Sequence, residues 1–303
     1  MRGVFVDANE ALAVIFERLA RPGDPVIRIH RDPDVTPDQL AGVLGGAEIA
    51  IVDHTALPTE IARQCAGLKH VVFLGTGARS YMNPEELGEL GIAVHLIRGY
   101  GDTAVAESAI ALMWAAARGI AAMDRGMRAG RWLREDGMQL TGKRLGLIGF
   151  GGIAAEVARI ALGGGMHVLA WNRSPKHSAG VDFVGLEALL AQSDVVSLHL
   201  LLNDETRGFL SSQRIAAMKP GVILVNTARG ALVDEAAMIE ALQSGHIRHA
   251  GLDVFTIEPL PADHELAKLP NVTLSAHSAF RTPEASANLI QAAWQHCRRI
   301  AAA

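Results

Sequence analysis

The chain has 303 residues, half of them hydrophobic and a fifth charged, with a formal net charge of −4. That length favours two domains over one core, and the acidic balance leaves no basic footprint for nucleic acid. No uninterrupted apolar run reaches bilayer-spanning length, and acids interrupt MRGVFVDANEAL too early for a secretory signal, so neither a nucleic acid nor a membrane is an expected partner. Cys65 and Cys297 match no metal or redox spacing. A reduced cytoplasmic protein is expected, with both thiols in packing roles and no metal site.

In chain order, the first hundred residues alternate short apolar runs with helical stretches. Strands are expected at Val4–Val6, Val26–Ile29, Ala47–Val52, His70–Leu74 and Ala93–Leu96, and helices at Glu10–Ala20, Pro37–Leu44, Glu60–Cys65 and Pro84–Leu90. Near-continuous apolar strands alternating with helices imply a parallel sheet covered on both faces, here a small flavodoxin-like unit. Ligands of such sheets bind beyond the C-terminal strand ends, which points to Val52–Thr55 and Gly75–Arg79. A long helical pattern then runs from Thr103 to about Gly130. Its length suits a connecting helix between domains. Its alanine-rich surface would also suit a second subunit, so a homodimer is expected, although core packing explains the same pattern.

The stretch Leu145–Ser174, LGLIGFGGIAAEVARIALGGGMHVLAWNRS, reads as strand Leu145–Ile148, a glycine turn, helix Ile153–Leu162 and strand His167–Trp171. Gly149 permits a tight turn, Gly151 lets backbone N–H groups approach a pyrophosphate, and Ala154 is small enough for helix and strand to touch. Phe150, Gly152 and Ile153 complete the turn, and the helix start supplies unpaired donors for an anion. Alone the pattern is weak; between a strand and a helix it points to dinucleotide binding.

Further strands are expected at Val195–Leu198, Val222–Asn226, Ala250–Asp253 and Val272–Ser275, and helices at Leu186–Gln192, Ser211–Ala217 and Asp234–Ser244, with Gly245 as a C-cap. No strand follows the closing helix, Pro283–Ala302. Its return to the first unit would make that domain discontinuous. The expected architecture is α/β, two doubly wound parallel-sheet domains: a Rossmann-type nucleotide-binding domain over 99–282, inserted in a flavodoxin-like substrate domain over 1–98 and 283–303.

The ordered motifs AVAE, GFGGIA, LHLLLNDET, NTARG, GLDVFTIEP and AHS, between about Gly99 and Thr282, resemble those of the D-isomer-specific 2-hydroxyacid dehydrogenases. The first hundred residues match more loosely, through GTGA at Gly75–Ala78. The resemblance implies that Arg229 binds the substrate, His277 is the catalytic acid and Glu258 orients it. It also implies that Gly77 and Ala78 offer backbone donors to the substrate carboxylate, that Thr227, Ala228 and Asp253 lie around the nicotinamide, and that Thr206 reaches a phosphate. The chemistry is coherent: a guanidinium forks onto a carboxylate, and a carbonyl receiving hydride needs a proton from a group that titrates near neutrality. Arg229, Glu258 and His277 also all follow expected strands, at the end where the glycine turn lies.

In AWNRSPKH, Asn172 stands where NAD-binding folds carry an acid for the ribose, followed by Arg173 and Ser174. Amide, guanidinium and hydroxyl suit a 2′-phosphate, so NADP(H) is preferred and NAD(H) stays open. That signature resembles the glyoxylate/hydroxypyruvate reductases of the family and implies reduction of a small 2-oxo acid to the D-2-hydroxy acid. The alternatives are a catalytically silent nucleotide-sensing co-regulator of the same fold, or a dehydrogenase acting on another small anion. Leu201 and Ala276 stand where many members have proline, and Arg79 and Met82 where many have acids. Trp132 falls where some relatives place an aromatic near the substrate, a position that a buried packing tryptophan would equally explain.

Overall fold

The computed structural model describes residues 1–32 and 34–302. These divide into two compact units, Met1–Gly101 with Arg281–302, and Asp102–Phe280.

In the first unit, β1 (Arg2–Phe5), β2 (Val26–Ile29), β3 (Ile49–Val52), β4 (His70–Phe73) and β5 (Ala93–Leu96) form a parallel sheet of order β2-β1-β3-β4-β5. This is the flavodoxin-like order. Central β3, IAIV, is buried along its whole length, whereas edge strand β2 alternates exposed and half-buried residues. Helix Glu10–Leu19 begins at Asn9, whose side chain accepts the Leu12 N–H at 3.0 Å, and it carries Glu10 in its first turn and Arg18 in its last. The closing helix, Pro283–Ala302, packs against it. Trp294 stacks on Phe16 at 4.2 Å and donates its indole N–H to the Phe16 carbonyl, contacts that join residues 278 positions apart. Arg298 forks onto Asp24 at 2.7 and 2.8 Å, and this guanidinium holds the Asp24 carboxyl below its usual range.

The second unit carries β6 (Arg144–Ile148), β7 (His167–Trp171), β8 (Val181–Phe183), β9 (Val195–Leu198), β10 (Val222–Asn226), β11 (Ile247–Leu252) and β12 (Val272–Leu274). All are parallel, in the order β12-β11-β10-β9-β6-β7-β8. The order reverses between β6 and β9, the position where doubly wound sheets open a crevice for a ligand. Asp234 caps helix Glu235–Ser244 by accepting the Ala237 N–H, and Gly245 ends it in the left-handed conformation, as its position in the sequence suggests. Strand β8 and the short helix Glu265–Lys268 were not anticipated. Three residues with a polar centre, or a single helical turn, carry too little periodicity to read.

The long helix expected from Thr103 to Gly130 is two helices. Gly119, at φ +61°, breaks it into Asp102–Arg118 and Ile120–Arg128, bent by 67°. An alanine-rich sequence hides such a break, because glycine within a helical pattern costs only about 1 kcal/mol. The alanine-rich face of the first segment is also spent inside its own unit: Ala106, Ala109, Met113 and Ala117 are buried against Val157, Ile223 and Val225. Among the described residues, no single helix is long and apolar enough to cross a membrane.

Candidate active site

The glycine turn follows β6 directly at the reversal of strand order. Gly149 has φ +90°, and a Cβ built on it would lie 2.7 Å from the His199 carbonyl at the end of neighbouring β9. Any side chain would therefore be both strained and clashing. A Cβ on Gly151 meets nothing within 4 Å, so the turn faces open space where the sequence calls for a pyrophosphate. Gly152 begins helix Gly152–Gly163, and Ala154 is buried within the core. Asn172, just after β7, accepts the Phe150 N–H at 3.1 Å and donates to both the carbonyl and the hydroxyl of Ser174. Its amide thus ties the end of β7 to the glycine turn. The neighbouring Arg173 is 84% exposed and pairs at 3.0 Å with Glu205, on the loop after β9.

The structure brings Glu258 and His277 into direct contact, with Oε2 of Glu258 2.6 Å from Nδ1 of His277. The other carboxylate oxygen, Oε1, accepts the Phe255 N–H at 2.9 Å, so the acid is fixed by its own loop and has one oxygen left for the ring. With Nδ1 engaged, Nε2 is the nitrogen available to a ligand. His277 is the one non-glycine residue among those described with positive φ, +46°. That backbone costs about 1–2 kcal/mol and persists only where neighbours dictate it. Here the neighbour is Asp253. Its carbonyl accepts the His277 N–H at 2.7 Å, and its fully buried carboxylate accepts from the Ser275 hydroxyl and the Ser278 and Ala279 N–H groups.

Arg229 extends from the loop after β10. Asn226, 1% exposed, holds that loop by accepting the Ala228 N–H and donating to the Arg229 carbonyl. The Arg229 guanidinium donates to the Ala228 carbonyl at 2.6 Å, leaving most of its N–H groups for a ligand. A Cβ on Gly230 would lie 2.1 Å from the Phe255 carbonyl carbon, so the Arg229 loop touches the loop whose backbone Glu258 holds. Asn226, Gly230 and Ser275 were missed by sequence reasoning. The only signal for them was their place inside the motifs NTARG and SAHS.

Other expected site residues are placed less simply. Asp253, expected around the nicotinamide, spends its carboxylate on the His277 loop. The Thr206 hydroxyl, expected at a phosphate, donates to the Leu201 carbonyl at 2.6 Å and closes its own loop with Asn203. Short polar side chains at such loops bond locally before they bond a ligand. The buried alternative for Trp132 is overturned, since this ring is 75% exposed. In the first unit, Gly77 precedes a single turn, Ala78–Ser80, with Ala78 buried and Arg79 paired with Glu85. Met82 is buried, where an acid would be costly. Both cysteines are buried, and burial raises the thiol pKa of each, that of Cys297 to about 12. Among the described residues, no group of three or more His, Cys, Asp or Glu side chains is arranged to hold a metal.

Residues 110–279 match the family model described as D-isomer specific 2-hydroxyacid dehydrogenase, NAD binding domain. A hydroxypyruvate reductase of Thermotoga maritima is 38% identical over 255 residues, covering 82% of this chain and 83% of that protein. A glyoxylate reductase structure from Paecilomyes thermophila superposes with a TM-score of 0.87 at 29% identity, over 97% of this chain and 93% of that one. An acyclic imino acid reductase in complex with NADPH and D-Arg superposes with a TM-score of 0.83 at 29% identity, over 96% and 94% of the two chains. The chain therefore belongs to the D-isomer-specific 2-hydroxyacid dehydrogenase family and is an NAD(P)-dependent oxidoreductase. Its residues fit a nicotinamide cofactor. Gly151 in the turn faces open space, and Thr227 Oγ1 is buried with no hydrogen-bond partner, as a polar group awaiting a ligand would be.

Proposed function

We propose that the protein reduces a small 2-oxo acid of the glyoxylate or hydroxypyruvate class to the D-2-hydroxy acid, with NADPH preferred over NADH. Arg229 forks onto the substrate carboxylate and sets the ketone for attack. The bound nicotinamide supplies the hydride. His277 gives its Nε2 proton to the carbonyl oxygen as negative charge grows there, and Glu258 fixes the ring and stabilises the imidazolium before transfer. The observation that carries this reading is the 2.6 Å contact between Nδ1 of His277 and Oε2 of Glu258. The intact set of Arg229, Glu258 and His277 favours chemistry over a nucleotide sensor of the same fold.

The NADPH preference is supported by the amide and guanidinium at Asn172 and Arg173, where an acid would mark NAD. Cofactor contacts are assigned to Gly149, Phe150, Gly151, Gly152, Ile153, Asn172, Arg173, Ser174, Thr206, Thr227 and Ala228, and Asp253 serves the cofactor side through the loop it shapes, since its carboxylate, N–H and carbonyl are all engaged. A homodimer is supported by exposed apolar residues on the second part of the broken helix, Ile120 and Met127, and just after it, Trp132 and Leu133. The cytoplasm suits two buried, unpaired thiols. NADPH oxidation across a panel of 2-oxo acids tests the activity. Turnover of glyoxylate or hydroxypyruvate supports it, and no turnover of any 2-oxo acid with either cofactor removes it.

A further inference from the structure

The loops after β7 and β9 flank the glycine turn, because β6 lies between those two strands in the sheet. An ion pair joins the two loops: Nη1 of Arg173, from the β7 side, is 3.0 Å from Oε2 of Glu205, from the β9 side. Each backbone is anchored independently. Asn172 is pinned to Phe150 and Ser174, and Glu205 sits in the turn that Asn203 and Thr206 close on themselves. The two side chains, 84% and 75% exposed, are therefore free to part while their loops stay in place.

We infer that Glu205 is a specificity-determining residue that competes with the cofactor's 2′-phosphate for Arg173 and so limits how far this site favours NADP(H). The inference rests on the proposed role of Arg173. A phosphate dianion offers the guanidinium a stronger, forked partner than one exposed carboxylate, so the 2′-phosphate displaces Glu205. A ribose 2′-hydroxyl offers no such exchange, and with NAD(H) the pair stays closed. Exposed ion pairs are weak, so the competitor lowers NADP(H) affinity without abolishing it. The preference becomes the balance of two anions at one cation.

The test uses calorimetric titration of the whole protein with adenosine 2′,5′-bisphosphate and with 5′-AMP, fragments that differ only in the 2′-phosphate. Wild type, Glu205→Gln, Arg173→Ala and the double variant are compared, and KM for NADPH and NADH is measured alongside. Glu205→Gln is expected to tighten the bisphosphate about two- to fivefold, leave 5′-AMP unchanged, and lose that gain in the Arg173→Ala background. Arg173→Ala alone is expected to weaken only the bisphosphate. If Arg173→Ala leaves the bisphosphate unchanged, the role of Arg173 fails and the competition falls with it. If Arg173 matters but Glu205→Gln changes nothing, or improves both fragments equally, the competition alone is overturned. A gain that persists in full without Arg173 also overturns it, since Glu205 would then act only as a distant charge.

Discussion

Asp253 governs His277 without touching its ring. Its carbonyl accepts the His277 N–H at 2.7 Å, and its buried carboxylate binds Ser275, Ser278 and Ala279 on both sides of the histidine. The left-handed backbone at His277 is thus imposed by the side chain and the carbonyl of one residue just after β11. Replacing Asp253 by Asn preserves shape but offers an NH2 where a backbone N–H needs an acceptor. The variant is expected to lose about 1–3 kcal/mol of stability and to lower kcat together with the melting temperature. Unchanged thermal denaturation and kcat would show that the loop holds itself.

The pairing of His277 with Glu258 makes separable predictions for the two residues. His277→Ala should lower kcat about 10²- to 10⁴-fold while NADPH binding, followed by fluorescence titration, stays near wild type. Glu258→Gln keeps an acceptor for the Phe255 N–H but loses the charge facing the ring. It should cost about 10²-fold in kcat with little change in melting temperature. Near-normal turnover in either variant removes that residue from the proposed chemistry.

Gly230 is a test of how closely two loops must meet. Its Cβ would fall 2.1 Å from the Phe255 carbonyl carbon, and backbone there has no side chain to move aside. Gly230→Ala should push the Arg229 loop from the Glu258 loop, raising KM for the 2-oxo acid and destabilising the fold by about 1–3 kcal/mol. Substrate kinetics and urea denaturation read the two effects.

Acid should destabilise the second unit before ordinary carboxylates titrate. Burial pushes the pKa of His199 down to about 4, and that of His249 to about 4 with help from Arg125 and Arg248. Unfolded, both bind protons below about pH 6.5, so between there and pH 4 the unfolded chain holds more protons and stability falls as pH drops. For His249, 6% exposed, the loss is on the order of 3 kcal/mol across that window. His249→Gln keeps a partner for the Thr273 hydroxyl and removes the titration. Its melting temperature should vary less with pH than the wild type; parallel profiles would assign the acid sensitivity elsewhere.

Cofactor choice should respond to a single atom pair at Asn172. Asn172→Asp keeps the acceptor for the Phe150 N–H but places a charge at the ribose. The ratio of kcat/KM for NADPH over NADH should fall about tenfold or more. An unchanged ratio would separate Asn172 from cofactor discrimination.

Much of this was legible in the amino-acid order because it is local. Strands such as IAIV and VILVN announce themselves by continuous apolar character. Gly149 does so by its place between strand and helix, and Gly245 by its place after a periodic run. NTARG and AHS marked Arg229 and His277 without showing what holds them. The break at Gly119 was not legible, because alanine on both sides suits a continuous helix and a bend is decided by what each half packs against. Trp132 shows the same limit: its type suggests burial, and its exposure depends on neighbours absent from its own segment.

The amino-acid order is enough for two parallel-sheet units, for a glycine turn between strand and helix, and for the places of Arg229, Glu258 and His277 just after strands. Strand periodicity and glycine placement are short-range properties that need no knowledge of distant chain. Only tertiary structure decided that Asp253 spends its charge on the His277 loop, that Gly230 is the meeting point of two loops, and that Arg173 already has an anion in Glu205. Those pairings join residues 22 to 32 positions apart. Hydrogen bonds and steric limits at that range exist only once β-strands far apart in the chain lie side by side.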